Sequence, residues 1–149
     1  MKKTYHTGTV KKTIKIKATK DKVWRKISNI AGLPTWVVDV KKTIYLSKKK
    51  KDVGAVRLIT FEDGNQIEEH IVAWKKGEYF TYIATEGLPL RAYVATISIN
   101  AKSRNLVELT WKSYINSEKM SEKEFLDFAV FMGAFYEASL ENLKTLLEK

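Results

Sequence analysis

Apolar and polar positions alternate along most of this chain, and the period becomes helical only twice. In "HTGTVKKTIKIKA", Val10, Ile14 and Ile16 share one side and Thr9, Lys11, Thr13, Lys15 and Lys17 the other, the pattern of a strand with one buried face. Val23, Trp24, Ile27 and Ile30 then recur at helical intervals. Thr19 stands where a cap belongs, and Gly32 and Pro34 end the run. From Val38 onward come "VVDVKKTIYLS", "VGAVRLITF", "QIEEHIVAW", "EYFTYIAT", "LRAYVATISINA" and "NLVELTWKSYI", separated by lysine-, glycine- or asparagine-rich punctuation. That spacing predicts an antiparallel meander. After a polar connection with Ser121 as a cap, residues 122–148 read as one long helix. Its first half, "FLDFAVFMGAFY", is apolar nearly all round, and its second carries Leu140, Leu143 and Leu147 as a stripe. A helix this apolar needs a cover, and the apolar face of the sheet is the surface available. The expectation is an α+β fold over a single domain, residues 1–149. A curved seven-stranded antiparallel sheet wraps the C-terminal helix, with two short helices after the first strand.

Two charges interrupt the apolar alternation of one predicted hairpin. If Glu62, Asp63 and Gly64 form a three-residue loop with Gly64 left-handed, Phe61 pairs with Asn65, Ile59 with Ile67 and Arg57 with Glu69. If Asp63 and Gly64 form a two-residue turn, Arg57 meets His70 and Glu69 moves to the opposite face. The residues alone leave both registers open.

Composition narrows the function classes. A chain of 149 residues with 44% hydrophobic content can build a sizeable core. It has no cysteine and only His6 and His70, which removes thiol chemistry and cysteine-based metal sites and leaves little for any other metal or cofactor. With no apolar leader core in "MKKTYHTGTVKK" and no membrane-length apolar run, the expectation is a soluble cytoplasmic protein without membrane insertion. The net charge of +10 raises nucleic acid as a partner. However, the arginines that read phosphate and guanine are only Arg25, Arg57, Arg91 and Arg104, while the lysines are scattered or bunched at turns such as 48–51 and 75–76. These read as solvated, aggregation-resistant turns rather than a specific nucleic-acid surface. Trp24, Trp36 and Trp74 lie on different elements and read as packing, not stacking platforms.

Four stretches in order, "KDKVWRKISNIAGLPTW", "GAVR" with "DGNQIEEHIVAW", "EGLPLRAYVATISI" and "FYEASLENLKTLLEK", resemble the START and SRPBCC superfamily of helix-grip proteins, in particular its polyketide cyclase/dehydrase-like branch. The similarity to plant abscisic-acid receptors and the birch pollen allergen is more distant. The resemblance implies that Arg57, Glu69 and Tyr93 point into a cavity under the sheet, which selects the three-residue loop. It places Phe131, Phe135 and Ser139 on the cavity side of the long helix. Ile59, Phe61, Ile71, Ile83, Ile97, Leu109 and Trp111 take the inward parity, and Glu68, His70, Glu108, Lys112 and Tyr114 the outward one. The plant receptors' carboxylate-binding lysine is matched by Val37, although a strand slip would bring Lys41 or Lys42 near, and their gate is replaced by the tight "EDG". Hormone-receptor function therefore does not transfer. "GLP" at 87–89 is left as a loop at the pocket mouth.

The expected ligand-binding residues are therefore Arg57, Ile59, Phe61, Glu69, Ile71, Ile83, Tyr93, Trp111, Phe131, Phe135 and Ser139, with no metal and no cofactor. The resemblance implies a small-molecule binding or carrier protein for an apolar ligand, such as a lipid, a polyketide or an isoprenoid-like molecule. The competing reading is a cyclase/dehydrase-type enzyme in which Arg57 polarises a carbonyl and Glu69 or Tyr93 moves a proton. A buried pair that merely fixes strand register is the structural alternative for Arg57 and Glu69. Core packing is the alternative for the helix aromatics.

Overall fold

The computed structural model describes residues 4–149; the first three residues of the N-terminal stretch scanned for a leader lie outside it. The strands are β1 (His6–Ile16), β2 (Val40–Tyr45), β3 (Val56–Phe61), β4 (Gln66–Lys75), β5 (Tyr79–Glu86), β6 (Ala92–Ser103) and β7 (Leu106–Ser117). They form one antiparallel sheet in the order β1-β7-β6-β5-β4-β3-β2, so every consecutive pair after β2 is a hairpin and β1 closes against the last strand. Helix α1 (Lys20–Ile27) and a single 3-10 turn (Leu33–Thr35) follow β1, and α2 (Glu122–Leu147) ends the chain. This is the α+β helix-grip arrangement expected from the alternation and the terminal helix.

Local chemistry explains the boundaries. The Thr19 side chain accepts the Lys22 N–H, and α1 stops at Ser28, ahead of the 3-10 turn that holds Pro34. At the other helix, the Ser121 hydroxyl accepts the Glu124 N–H at 3.1 Å while Glu124 Oε1 accepts the Ser121 N–H at 2.9 Å, a reciprocal capping box. The buried positions of α2 are Phe125, Met132, Gly133, Tyr136, Ser139, Leu140, Leu143 and Leu147. They recur every three or four residues, so one side of the helix lies on the sheet.

The β3–β4 hairpin takes the three-residue loop. Asn65 O accepts the Phe61 N–H and Phe61 O accepts the Gly64 N–H, both at 2.9 Å, with Gly64 at φ +90°. Arg57 consequently pairs with Glu69 and Ile59 with Ile67. Because strand side chains alternate faces, this register is what turns both charges inward.

Strand β5 corrects one expectation. Ile83 pairs with His70 and Val94 on the outer face, whereas Tyr82 pairs with Ile71 and is buried with Phe80. The inward residues of β5 are thus its aromatics. The phenol of Tyr82 finds hydrogen-bond partners inside, which lets a polar-tipped ring occupy a position the aliphatic Ile83 was expected to take.

Candidate functional site

Between the concave side of the sheet and the N-terminal half of α2 lies a cavity of about 490 Å³. One wall is Ile59, Phe61, Ile67, Phe80, Ile97 and Trp111 from the strands, and the helix side is Phe128, Phe131, Met132 and Phe135. Leu33, Trp36, Val37 and Val40 close it from the segment after α1. The rings touch in sequence: Phe61 to Phe135 at 6.1 Å between centroids, Phe135 to Trp111 at 6.1 Å, and Trp111 to Trp36 at 5.8 Å. Tilted contacts at such distances are favourable ring geometries and give an apolar, aromatic wall.

The mouth is built from three loops and the helix. Leu88 and Pro89 enter from the β5–β6 loop, Glu62, Asp63 and Asn65 from the β3–β4 hairpin, and Asp39 from the run into β2. Gly87 seats the first of these. It has φ +101°, and a Cβ there would stand 2.0 Å from Gln66 O, so only glycine lets the loop lie on the start of β4. Phe131, 63% exposed, sits at the rim of the cavity rather than in its depth.

A layer of polar groups forms the floor. Arg57 and Glu69 are 3% and 5% exposed. Arg57 Nε and Nη2 donate to the same oxygen, Glu69 Oε1, at 2.9 and 2.7 Å, and Nη1 donates to Ile30 O at 2.9 Å. The guanidinium carbon lies 4.9 Å from the Tyr82 ring centre. Trp111 Nε1 donates to the Tyr82 hydroxyl at 3.0 Å, and the Tyr82 and Tyr93 hydroxyls are hydrogen-bonded to each other at 3.1 Å. Tyr93 is in turn hydrogen-bonded to Tyr136. Burial, first of all, pushes the Glu69 carboxyl above its usual range against the opposing pull of Arg57. Burial likewise drives Tyr82 and Tyr93 well above the ordinary phenol range, with neighbouring Glu69 adding to both, and raises Tyr136. The three phenols therefore stay protonated at neutral pH and cannot serve as bases.

Of the sequence-derived site residues, Arg57, Ile59, Phe61, Glu69, Tyr93, Trp111, Phe131 and Phe135 line this cavity. Ile71, Ile83 and Ser139 do not. Ile71 lies one inward position beyond Glu69, in packed core behind the polar layer, and Ile83 faces outward. The Ser139 hydroxyl is taken by the backbone, accepting the Val38 N–H at 3.1 Å, so this residue anchors the segment before β2 instead of a cavity wall. Lys41 and Lys42 are exposed, and among the described residues no lysine lines the cavity. Tyr82 and Tyr136 were missed. The 132, 136, 140 spacing on α2 marks Tyr136 as a buried-face position, whereas the alternation of β5 suits either Phe80 with Tyr82 or Thr81 with Ile83 as the inward set. Among the described residues no group of three or more His, Cys, Asp or Glu is placed to hold a metal, and no helix is long and apolar enough to cross a membrane.

Residues 7–148 match the family described as polyketide cyclase / dehydrase and lipid transport. No curated protein sequence matches the chain. Solved structures resemble it closely in fold. An uncharacterized protein from Bacillus thuringiensis aligns with a TM-score of 0.81 at 19% identity, over 95% of this chain and all (100%) of that one. XoxI from Bacillus cereus aligns with 0.81 at 20%, over 94% and 95%. The ZhuI aromatase/cyclase from Streptomyces sp. R1128 aligns with 0.79 at 14%, over 96% and 94%. Identities this low carry the fold and not the activity.

Proposed function

The chain belongs to the polyketide cyclase / dehydrase and lipid transport family, and from that premise we propose that it is a small-molecule binding or carrier protein, a single helix-grip domain over residues 1–149 that holds an apolar ligand between sheet and helix in the cytoplasm. The observation that carries this reading is the cavity itself. Its volume of about 490 Å³ falls within the roughly 300–1,000 Å³ typical of ligand pockets, and its wall is aromatic and aliphatic with polar groups confined to the floor and the mouth. A lipid, polyketide or isoprenoid-like body would bury against Ile59, Phe61, Trp111 and Phe135, with its polar end toward Arg57, Glu69 and Tyr93.

The test is native mass spectrometry of the purified protein for a co-purified small molecule, together with binding of Nile red, a neutral environment-sensitive dye. Phe135→Trp should fill part of the cavity and weaken dye binding several-fold. Unchanged affinity would place the dye elsewhere and count against the reading.

A cyclase/dehydrase-type activity is the second reading, and the protonated phenol row supports it, because Tyr93 could donate to a developing oxyanion. Arg57 is less suited to polarise a carbonyl, since Glu69 and the Ile30 carbonyl already take three of its N–H groups. Turnover of a poly-β-keto substrate that disappears in Glu69→Gln would favour this reading over the carrier.

A further inference from the structure

The polar end of the cavity is not electrostatically symmetric. Both Arg57 bonds to the carboxylate converge on Oε1. Glu69 Oε2 takes no hydrogen bond from any described residue, yet it is not among the polar atoms sealed away without a partner. Glu69 lines the cavity, so the free lone pairs of Oε2 open into it. Three of the Arg57 N–H groups are taken by Glu69 and Ile30 O and its guanidinium lies over the Tyr82 ring, while the hydroxyls of Tyr82 and Tyr93 are hydrogen-bonded within their own row. The indole N–H of Trp36 has no partner, but it is sealed from the cavity.

The mouth has the same sign. Of the ionisable side chains lining the cavity, Asp39, Glu62, Asp63 and Glu69 are carboxylates, and Arg57 is the one cation among the described residues, already paired. The protein as a whole carries +10. The cavity is thus an acidic inlet in a basic molecule, and field focusing in such a cleft repels an incoming anion.

We infer that the cavity selects an apolar ligand whose polar end is a hydrogen-bond donor, a hydroxyl, phenol or amine N–H received by Glu69 Oε2, and that it rejects carboxylates and phosphates. This rests on the reading of the cavity as a small-molecule site and specifies its ligand class. An acceptor-only end would leave Oε2 without a partner after the ligand displaces water, and an anionic end would meet a second carboxylate at the floor.

Three probes sharing one ring system separate the possibilities, assayed at pH 7.5 by displacement of Nile red: 2-naphthol, 2-methoxynaphthalene and 2-naphthoate. The naphthol should bind about tenfold or more tightly than the methyl ether, the range of a hydrogen bond to a charged acceptor. The naphthoate should bind more weakly than both, and added salt should narrow its deficit by screening the mouth. Glu69→Gln should erase the preference for the naphthol. If that variant fails to fold because it strands Arg57, the Arg57→Met/Glu69→Leu pair should bind the naphthol and its methyl ether alike. Equal binding of these two by the wild type, or tighter binding of the naphthoate, would overturn this inference while leaving a ligand cavity. No binding of Nile red or any probe would overturn the carrier reading and this inference with it.

Discussion

The two halves of α2 meet the sheet on different terms. From Tyr136 to Leu147 the helix buries Tyr136, Leu140, Leu143 and Leu147 in a closed core with Ile16, Val23 and Ile27. Its end is also tied by polar bonds: Lys22 Nζ and Lys144 Nζ donate to Leu147 O and Lys15 O, both at 2.7 Å, and Glu148 Oε2 accepts the Lys17 N–H at 2.8 Å. From Phe125 to Phe135 the helix is more apolar and less buried. Phe128 and Phe135 are partly covered, and Leu126, Val130 and Phe131 are exposed. Apolar surplus in the sequence therefore marks the half of the helix that bounds a cavity, while the more amphipathic half makes the solid core. Close packing is the default of protein interiors, so a space of about 490 Å³ bounded by this many rings forgoes stabilising contact.

The contrast can be broken first at the cavity floor. Arg57→Met alone strands the Glu69 charge and should cost roughly 3–5 kcal/mol in chemical denaturation, and Glu69→Leu should behave likewise. The Arg57→Met/Glu69→Leu pair should recover most of that loss. Nearly neutral single variants would mean that water already solvates both charges, and the floor would not be a dry layer.

Next in size is the solid half. Leu143→Ala should cost about 2–5 kcal/mol, because the leucine is fully enclosed and its neighbours cannot collapse freely. In the cavity half, Phe135→Ala should cost less, about 1–2 kcal/mol, below the usual loss for a core phenylalanine because part of its surface already faces empty volume. Equal losses at the two positions would remove the distinction between the halves. At the rim, Phe131→Ser should stay within about 0.5 kcal/mol of wild type, as an exposed position does.

The smallest effect is on pH dependence. Burial raises the Glu69 carboxyl in the folded state, so its protonation favours the fold. That contribution is fully present below the unfolded carboxyl value of about 4.3 and is lost as pH rises through the folded value. The charged and titratable groups around it are Arg57, Tyr82, Tyr93 and Tyr136, and the phenols remain neutral throughout this window. Wild type should therefore lose stability relative to the Arg57→Met/Glu69→Leu pair between acidic and neutral pH, with exposed groups cancelling in the difference. A gap that widens in favour of wild type as pH rises would mean that Arg57 outweighs burial.

Where local chemistry sufficed, the sequence was legible. The alternation of β1, the Thr19 and Ser121 caps and the 140, 143, 147 stripe each depend on neighbours within a few residues, and each appears in the structure as the pattern requires. The family resemblance added the register of the β3–β4 hairpin, which the residues of the loop had left open between two turns. Both turn types suit an Asp-Gly pair, and only the burial of one face discriminates them.

The sequence by itself determined the element order, the antiparallel meander and the need for the last helix to be covered, because period and capping are short-range properties of the chain. Tertiary structure alone decided which residues share the cavity. Tyr82 went inward in place of Ile83 because its hydroxyl found Trp111 and Tyr93 across the sheet. Ser139 left the cavity wall because Val38, a hundred positions earlier in order of magnitude, needed an acceptor for its N–H. The free oxygen of Glu69 exists because two bonds from Arg57 converge on the other one. Such assignments turn on where distant side chains satisfy their polar atoms, and no local pattern encodes that geometry.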